Sequence, residues 1–210
     1  MSPRPYRMTH RQELVDSTRS RILDAALAVL VSGKPFSIDA VAREAKVTRV
    51  TVYDRFGTRE ALVESTFDHL AETGGLTSLP RAFMHADPLE ALTEFVIIFC
   101  GFYSVHRAAL RRLHALGALG QGVEGPTDRN TRRLRGLEIL LGRIADAGFP
   151  RARDSDAARV AHALTSFAFV DALSGFERDP VEVAPIVVAL IHHAAHIDGR
   201  DSSPVPRVQS

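Results

Sequence analysis

Thr48, Arg49, Thr51, Tyr53 and Arg59 bring hydroxyl and guanidinium groups together in one short stretch, with Val50 among them. Hydroxyls donate to phosphate oxygens, contacts that position a protein on a duplex without reading its sequence. An arginine fork meets guanine O6 and N7 through two parallel bonds and discriminates against the wrong base by about 1–3 kcal/mol. A small apolar side chain such as Val50 suits close approach and a thymine methyl. This is the chemistry of anion and base-edge recognition. Nothing comparable points to bond making: Cys100 lies inside the apolar run FVIIFCGFY, and no Ser-His-Asp spacing is visible, so no catalytic residue is assigned.

These groups act together only if one element holds them on one side. Ser37 reads as the N-cap of a short helix through about Ala45, with Ile38, Val41 and Ala42 facing inward. The pattern breaks at Ala45-Lys46-Val47, and Thr48 opens a second short helix that ends near Phe56-Gly57. There Val52 and Phe56 point away from the polar set. Thr58 is a third cap candidate, leading a helix marked by Leu62, Val63, Thr66, Phe67 and Leu70. Ahead of all three, Ile22, Ala25, Ala26, Val29 and Leu30 share one face of a helix from about Ser17, stopped at Ser32-Gly33-Lys34-Pro35. Two short helices joined by a three- or four-residue turn make a helix-turn-helix, whose second helix enters the DNA major groove. The Thr48 hydroxyl can cap its helix and reach a phosphate at the same end. Arg59 is a cation in a first helical turn, disfavoured by the macrodipole, and a phosphate nearby would account for it.

The segment SIDAVAREAKVTRVTVYDRFGTREALV resembles the DNA-binding segment of tetracycline-repressor-like (TetR) transcriptional regulators. Val47, Thr48, Thr51, Tyr53, Phe56, Glu60 and Leu62 match that pattern, and RILDAALAVLVSGKPFSIDAVAREA matches the family's first helix and the entry to the second. The resemblance covers about the first 65 residues. It implies that Thr48, Thr51 and Tyr53 touch phosphates while Arg49 and Val50 face bases; Ser37, Lys46 and Arg59 complete the candidate DNA-binding set. Two residues depart from the pattern. Lys46 replaces the usual turn glycine, so the turn either holds a left-handed non-glycine residue or shifts its geometry. Arg59 replaces the usual lysine and keeps the charge. The resemblance further implies a divergent C-terminal helical domain that binds a small effector and dimerises through its last two helices.

The rest of the chain fits an all-α protein. Of its 210 residues, 45% are hydrophobic, enough for a sizeable core. Residues 1–60 carry eleven Lys/Arg against seven Asp/Glu, and the remainder fifteen against eighteen, so a basic front end precedes a near-neutral body. The single cysteine favours a reducing compartment, and MSPRPYRMTHRQELVDS has no signal-peptide character. Apolar runs are about half the ~20 residues of a membrane span. A soluble cytoplasmic protein is expected, without cofactor. Residues 1–16, with Arg4, Arg7 and Arg11, read as a flexible basic arm; 17–72 as the DNA-binding domain; 80–198 as the effector-binding and dimerisation domain; and 199–210 as a disordered tail.

In the larger domain, expected helices run from Asp87, over about His106 to Leu119, over Thr127 to Ala147, over Ser155 to Phe176 and over Pro180 to Ile197. GALGQGVEGP is a connector. The last two helices are strongly apolar and rich in alanine, suited to close approach across a dimer interface. Phe95, Phe99, Tyr103, His106, His114 and Phe167 are candidates for an effector pocket, an apolar lining with an imidazole to orient a ligand. His192 and His196 stand four apart, a spacing that can hold zinc, but they read better as polar residues on a helix flank, and no metal is assigned. The expected partners are an operator duplex, a small molecule of unidentified structure, and a second copy of the chain. Two alternatives stay open: a DNA-binding regulator or activator with no effector, and a helical metal- or small-molecule-binding protein whose head is only structural.

Overall fold

The computed structural model describes residues 6–118 and 127–197, with side chains over 16–115 and 129–197. Among these residues there is no strand. In order come α1 (Tyr6–Val31), α2 (Ile38–Glu44), α3 (Arg49–Phe56), α4 (Arg59–Thr73), α5 (Leu79–Met84), α6 (Pro88–Ala118), α7 (Thr127–Asp146), α8 (Ser155–Leu164), α9 (Phe167–Ser174) and α10 (Ala184–Ala194). Single 3₁₀ turns precede α5, α8 and α10. The chain forms two compact units, one of residues 1–74 with 106–126, the other of 75–105 with 127–210. The first therefore takes in the C-terminal part of α6, where a contiguous N-terminal domain was expected.

The three expected caps close the starts of α2, α3 and α4. Ser37 Oγ accepts from Ala40 N–H at 3.2 Å, Thr48 Oγ1 from Thr51 N–H at 3.1 Å, and Thr58 Oγ1 from Ala61 N–H at 3.0 Å. Each bond satisfies a donor that the first helical turn leaves open and is worth about 1 kcal/mol. Apolar faces then bury together: Ile22, Ala26 and Leu30 of α1, Val41 of α2, Val52 of α3, and Leu62 and Leu70 of α4 are at most 1% exposed. Ala109, Leu110 and Leu113 of α6 are also buried in this unit, and Arg112 Nη2 donates to the Gly33 carbonyl at 2.8 Å.

The start of α1 corrects one expectation. Residues 1–16 do not form an arm throughout, because the helix begins at Tyr6. After Pro3 and Pro5 no proline or glycine interrupts the chain until Gly33, so nothing stops the helix from extending back over Arg7 and Arg11. Arg4 and the 199–210 tail lie outside the described residues.

The second unit departs more from the sequence reading. The two helices expected from Asp87 and from about His106 are both present within α6, meeting at a kink at His106, which has φ −112° and ψ 18°. No proline or glycine stands beside His106, so the kink has no breaker in the sequence to mark it. By length and composition Pro88–Ala115 also passes for a membrane span, since joining two apolar runs doubles their reach. Its apolar face is instead packed: Leu92, Phe95, Val96 and Tyr103 are at most 3% exposed. The expected helix over Ser155 to Phe176 is broken at Thr165-Ser166, where Ser166 Oγ caps a new helix by accepting from Phe169 N–H at 3.2 Å. α7 buries Leu137, Leu140, Leu141 and Ile144. Its Gly136 lets the helix approach the aromatic residues, for a Cβ there would stand 3.1 Å from Phe95 Cε2.

Candidate nucleic-acid interface

The turn between α2 and α3 closes as a Schellman motif. Val47 N–H donates to the Ala42 carbonyl at 2.9 Å and Lys46 N–H to the Arg43 carbonyl at 3.2 Å. This geometry needs a left-handed residue between them, and Lys46 takes it with φ 54°. Of the two outcomes open at the departure from glycine, the turn keeps its geometry and lysine carries the strain. The side chain is exposed.

From Thr48 onward α3 has two distinct sides. Val52 is fully buried and Phe56 nearly so, with the Arg19 guanidinium 4.7 Å over the Phe56 ring. The other side is open: Val50 is 66% and Tyr53 43% exposed, Thr48 and Arg49 are exposed, and Thr51 is half-buried. The Thr48 and Thr51 hydroxyls lie 2.9 Å apart in a mutual hydrogen bond. An exposed valine beside an arginine and hydroxyls, braced by two core anchors, is a surface shaped for contact rather than for the interior of the fold.

Two arginines have partners that the sequence reading missed. Arg49 Nε lies 3.0 Å from Asp39 Oδ1 of α2, both side chains more than half exposed. The pair links residues brought together only by the turn, so spacing alone gave no sign of it. Arg59 folds back on the core: its Nε donates to the Phe36 carbonyl at 3.4 Å, its guanidinium lies 5.7 Å from the Phe36 ring centre, and Glu60 Oε1 is 3.9 Å away. These contacts account for a cation at the start of α4 without invoking a phosphate. Ser37 is half-buried, its hydroxyl engaged in the α2 cap.

In the second unit the rings of Phe95, Phe99, Tyr103 and Phe167 form one connected series, with successive centres 4.9, 6.1 and 5.5 Å apart. The two histidines placed with them do not join. His106 Nε2 is 3.2 Å from Thr73 Oγ1, packed among residues of the first unit. Burial holds its imidazole below the usual range, the Leu70 backbone opposes that shift and His69 adds to it. His114 is exposed. Both residues lie from the kink onward, on the part of α6 that belongs with the N-terminal residues.

Arg133 and His162 take their place beside the rings. Arg133 Nη1 donates to the Tyr103 hydroxyl at 2.9 Å and to the Thr165 carbonyl at 3.1 Å; Nη2 donates to His162 Nε2 at 3.0 Å and to Asn130 Oδ1 at 3.4 Å. Tyr103 in turn donates to the Thr165 carbonyl at 2.8 Å, and burial raises its phenol above the ordinary value, against the pull of Arg133. Since arginine has only donors, His162 Nε2 is the acceptor and the ring is neutral. Burial first, and the neighbouring guanidinium second, hold that imidazole low, with a bond to the Asn130 backbone in opposition. Cys100, also buried, has its thiol pushed up to about 12, chiefly by burial and then by Asp179.

The histidine pair near the C-terminus loses its shared face. α10 ends at Ala194, and His196 adopts φ 55° in a second Schellman closure, with Ile197 N–H on the His192 carbonyl at 2.8 Å. Among the described residues no group of three or more His, Cys, Asp or Glu could hold a metal.

Residues 22–66 match the family described as "Bacterial regulatory proteins, tetR family". The chain is 29% identical over 157 residues to the HTH-type transcriptional repressor NicS of Pseudomonas putida, covering 73% of each protein. Its fold is similar to that of a TetR-like transcriptional regulator from a Rhodococcus species, with TM-score 0.66 at 19% identity over 87% of this chain and 97% of the other. A TetR transcriptional regulator from Streptomyces coelicolor is 26% identical, with TM-score 0.52 over 84% and 97%. The matched residues hold α2, the strained turn and the two-sided α3, so sequence likeness and geometry meet at one element. Over residues 22–66 the chain is similar to tetR-family regulators, and it is a DNA-binding transcriptional regulator.

Proposed function

We propose that the protein is a homodimeric repressor that leaves a near-palindromic operator when a small molecule binds its second unit. The observation that carries the DNA-binding role is the split of α3 into a buried Val52–Phe56 side and an exposed Thr48–Tyr53 side. In this reading Arg49 and Val50 meet base edges, while Thr48, Thr51 and Tyr53 hold phosphates, and Lys46 adds charge at the rim. Ser37 and Arg59 support the head from within, through the α2 cap and the Phe36 contact. The name of the Pseudomonas relative supports repression.

A head of this kind reads two half-sites about 34 Å apart, which calls for a two-fold partner. Val160 on α8 and Ile186 and Leu190 on α10 are about 40% exposed, on helices that pack against each other and carry buried alanines. Their apolar exposure supports dimerisation through α8 and α10. In this reading the protein works in the cytoplasm, where its operator lies. For a ligand to empty the operator nearly completely it must distinguish the two states by about 5.5 kcal/mol. The test is selection of a binding site from random duplexes, followed by titration at several salt concentrations and screening for small molecules that lower the affinity. A dyad-symmetric site bound with a steep salt slope supports the reading; binding without sequence preference, or no ligand effect on any selected site, contradicts it.

A further inference from the structure

Arg133 is a cation set against a wall of aromatic rings with only neutral acceptors around it. Its described partners are a phenol, a carbonyl, an imidazole and a carboxamide, and no carboxylate pairs with it among the described residues. Its fifth donor, Nε–H, is buried with no acceptor among the described residues. A buried donor left open costs about as much as a lost hydrogen bond, and a partly buried cation without a counter-ion forgoes the strongest partner available to it. Nε and Nη2 lie along one edge of the guanidinium, the edge that takes both oxygens of a carboxylate side-on. Of the two partners of Nη2, Asn130 Oδ1 is the more weakly held, at 3.4 Å against 3.0 Å for His162 Nε2. The face of the guanidinium is 5.9 Å from the Phe99 ring centre, and Phe99 continues into Tyr103 and Phe167. Arg133, His162 and Phe167 are each half-buried, so this corner of the ring series is its open side.

We infer that the ligand of the second unit is an organic acid with a flat, apolar body, its carboxylate bound side-on by Arg133 and its body laid against Phe99 and Phe167. His162 accepts from Nη2 and stays neutral, so it adds no charge of its own beside Arg133. A purely structural clamp between α6, α7 and α8 would use the same bonds but would not prefer an acid to its amide. This inference rests on the reading of the second unit as an effector domain.

The experiment uses the full-length protein and matched pairs of probes: a panel of one- and two-ring aromatic carboxylic acids, each with its primary amide. Thermal unfolding and calorimetry measure binding, and operator release is followed in parallel. Expected is saturable stabilisation by members of the acid panel and none by their amides, with affinity lowered about 10- to 150-fold in Arg133→Gln and by less in Arg133→Lys. Should Arg133→Gln not fold, the Nε–H resonance of Arg133 in the wild type serves instead, moving with acids and not with amides. Equal binding of acids and amides, full acid affinity in a folded Arg133→Gln, a resonance indifferent to acids, or no acid bound by the wild type overturns the inference. The two readings separate cleanly. Acids that bind through Arg133 but leave operator affinity unchanged uphold this site and refute the effector role, while neutral compounds that release the operator do the reverse.

Discussion

Replacing Arg49 by alanine is the sharpest perturbation of the DNA-facing helix. In each head the side chain is 59% exposed, 3.0 Å from Asp39, and in the first turn of α3. A bidentate contact to guanine contributes about 1–3 kcal/mol of discrimination, roughly 5- to 150-fold per half-site. To make it the guanidinium must share or leave Asp39, and an exposed pair of this kind is worth about 0.2–1 kcal/mol. The base contact therefore outweighs the ion pair. Arg49→Ala is expected to lower affinity for a selected operator by that 5- to 150-fold in each half-site, and affinity for scrambled DNA far less. Asp39→Ala removes the competitor and a negative charge near the duplex, so operator affinity should rise by up to about fivefold. Fluorescence anisotropy on both duplexes at one fixed salt concentration, with the double variant to close the cycle, gives the coupling between the residues. Equal losses on operator and scrambled DNA for Arg49→Ala would refute base reading. A large loss for Asp39→Ala would show that the ion pair aims the arginine in the complex rather than competing with it.

Tyr53→Phe removes a hydroxyl and no charge, so it should weaken operator and scrambled DNA alike and leave the salt slope unchanged in titrations from low to moderate salt. Lys46→Gly relieves a left-handed lysine that costs about 1–2 kcal/mol, offset in part by about 0.4–1 kcal/mol of added freedom in the unfolded chain; Tm should rise by a few degrees while non-specific DNA affinity falls with the lost charge. His106 and His162 are both held below the ordinary imidazole range by burial. The unfolded chain therefore takes up protons first, and their contribution to stability is present above pH ~6.5 and lost as pH falls through the lower folded values. Urea unfolding between pH 7.5 and 5 should show a steeper loss for the wild type than for a His106→Gln/His162→Gln double variant.

The DNA-binding head was legible because its signals are local. Three hydroxyl caps at Ser37, Thr48 and Thr58 mark helix starts within a few residues, and Val52 and Phe56 against Thr48, Thr51 and Tyr53 sort a single helix into two sides. Lys46 posed a choice that the sequence framed and the backbone resolved. What stayed hidden depends on distant contacts or on breaks without breakers. No proline or glycine marks the split at Thr165-Ser166, so two short helices read as one. Sequence order beside the ring-bearing stretch brought His106 and His114 into the pocket set, but the stretch after the kink belongs with the first unit. Arg133 was invisible because its partners Tyr103, His162 and Thr165 lie some thirty residues away on either side. Arg59 invited a phosphate because its Phe36 partner lies on the far side of α2 and α3 in the sequence.

The central claim is that the exposed side of α3 is laid in the major groove, and the structure of the protein bound to its selected operator tests it most directly. The account predicts Arg49 and Val50 at base edges, with Thr48, Thr51 and Tyr53 on the flanking phosphates. A complex in which those five side chains face solvent while another surface holds the duplex would contradict it.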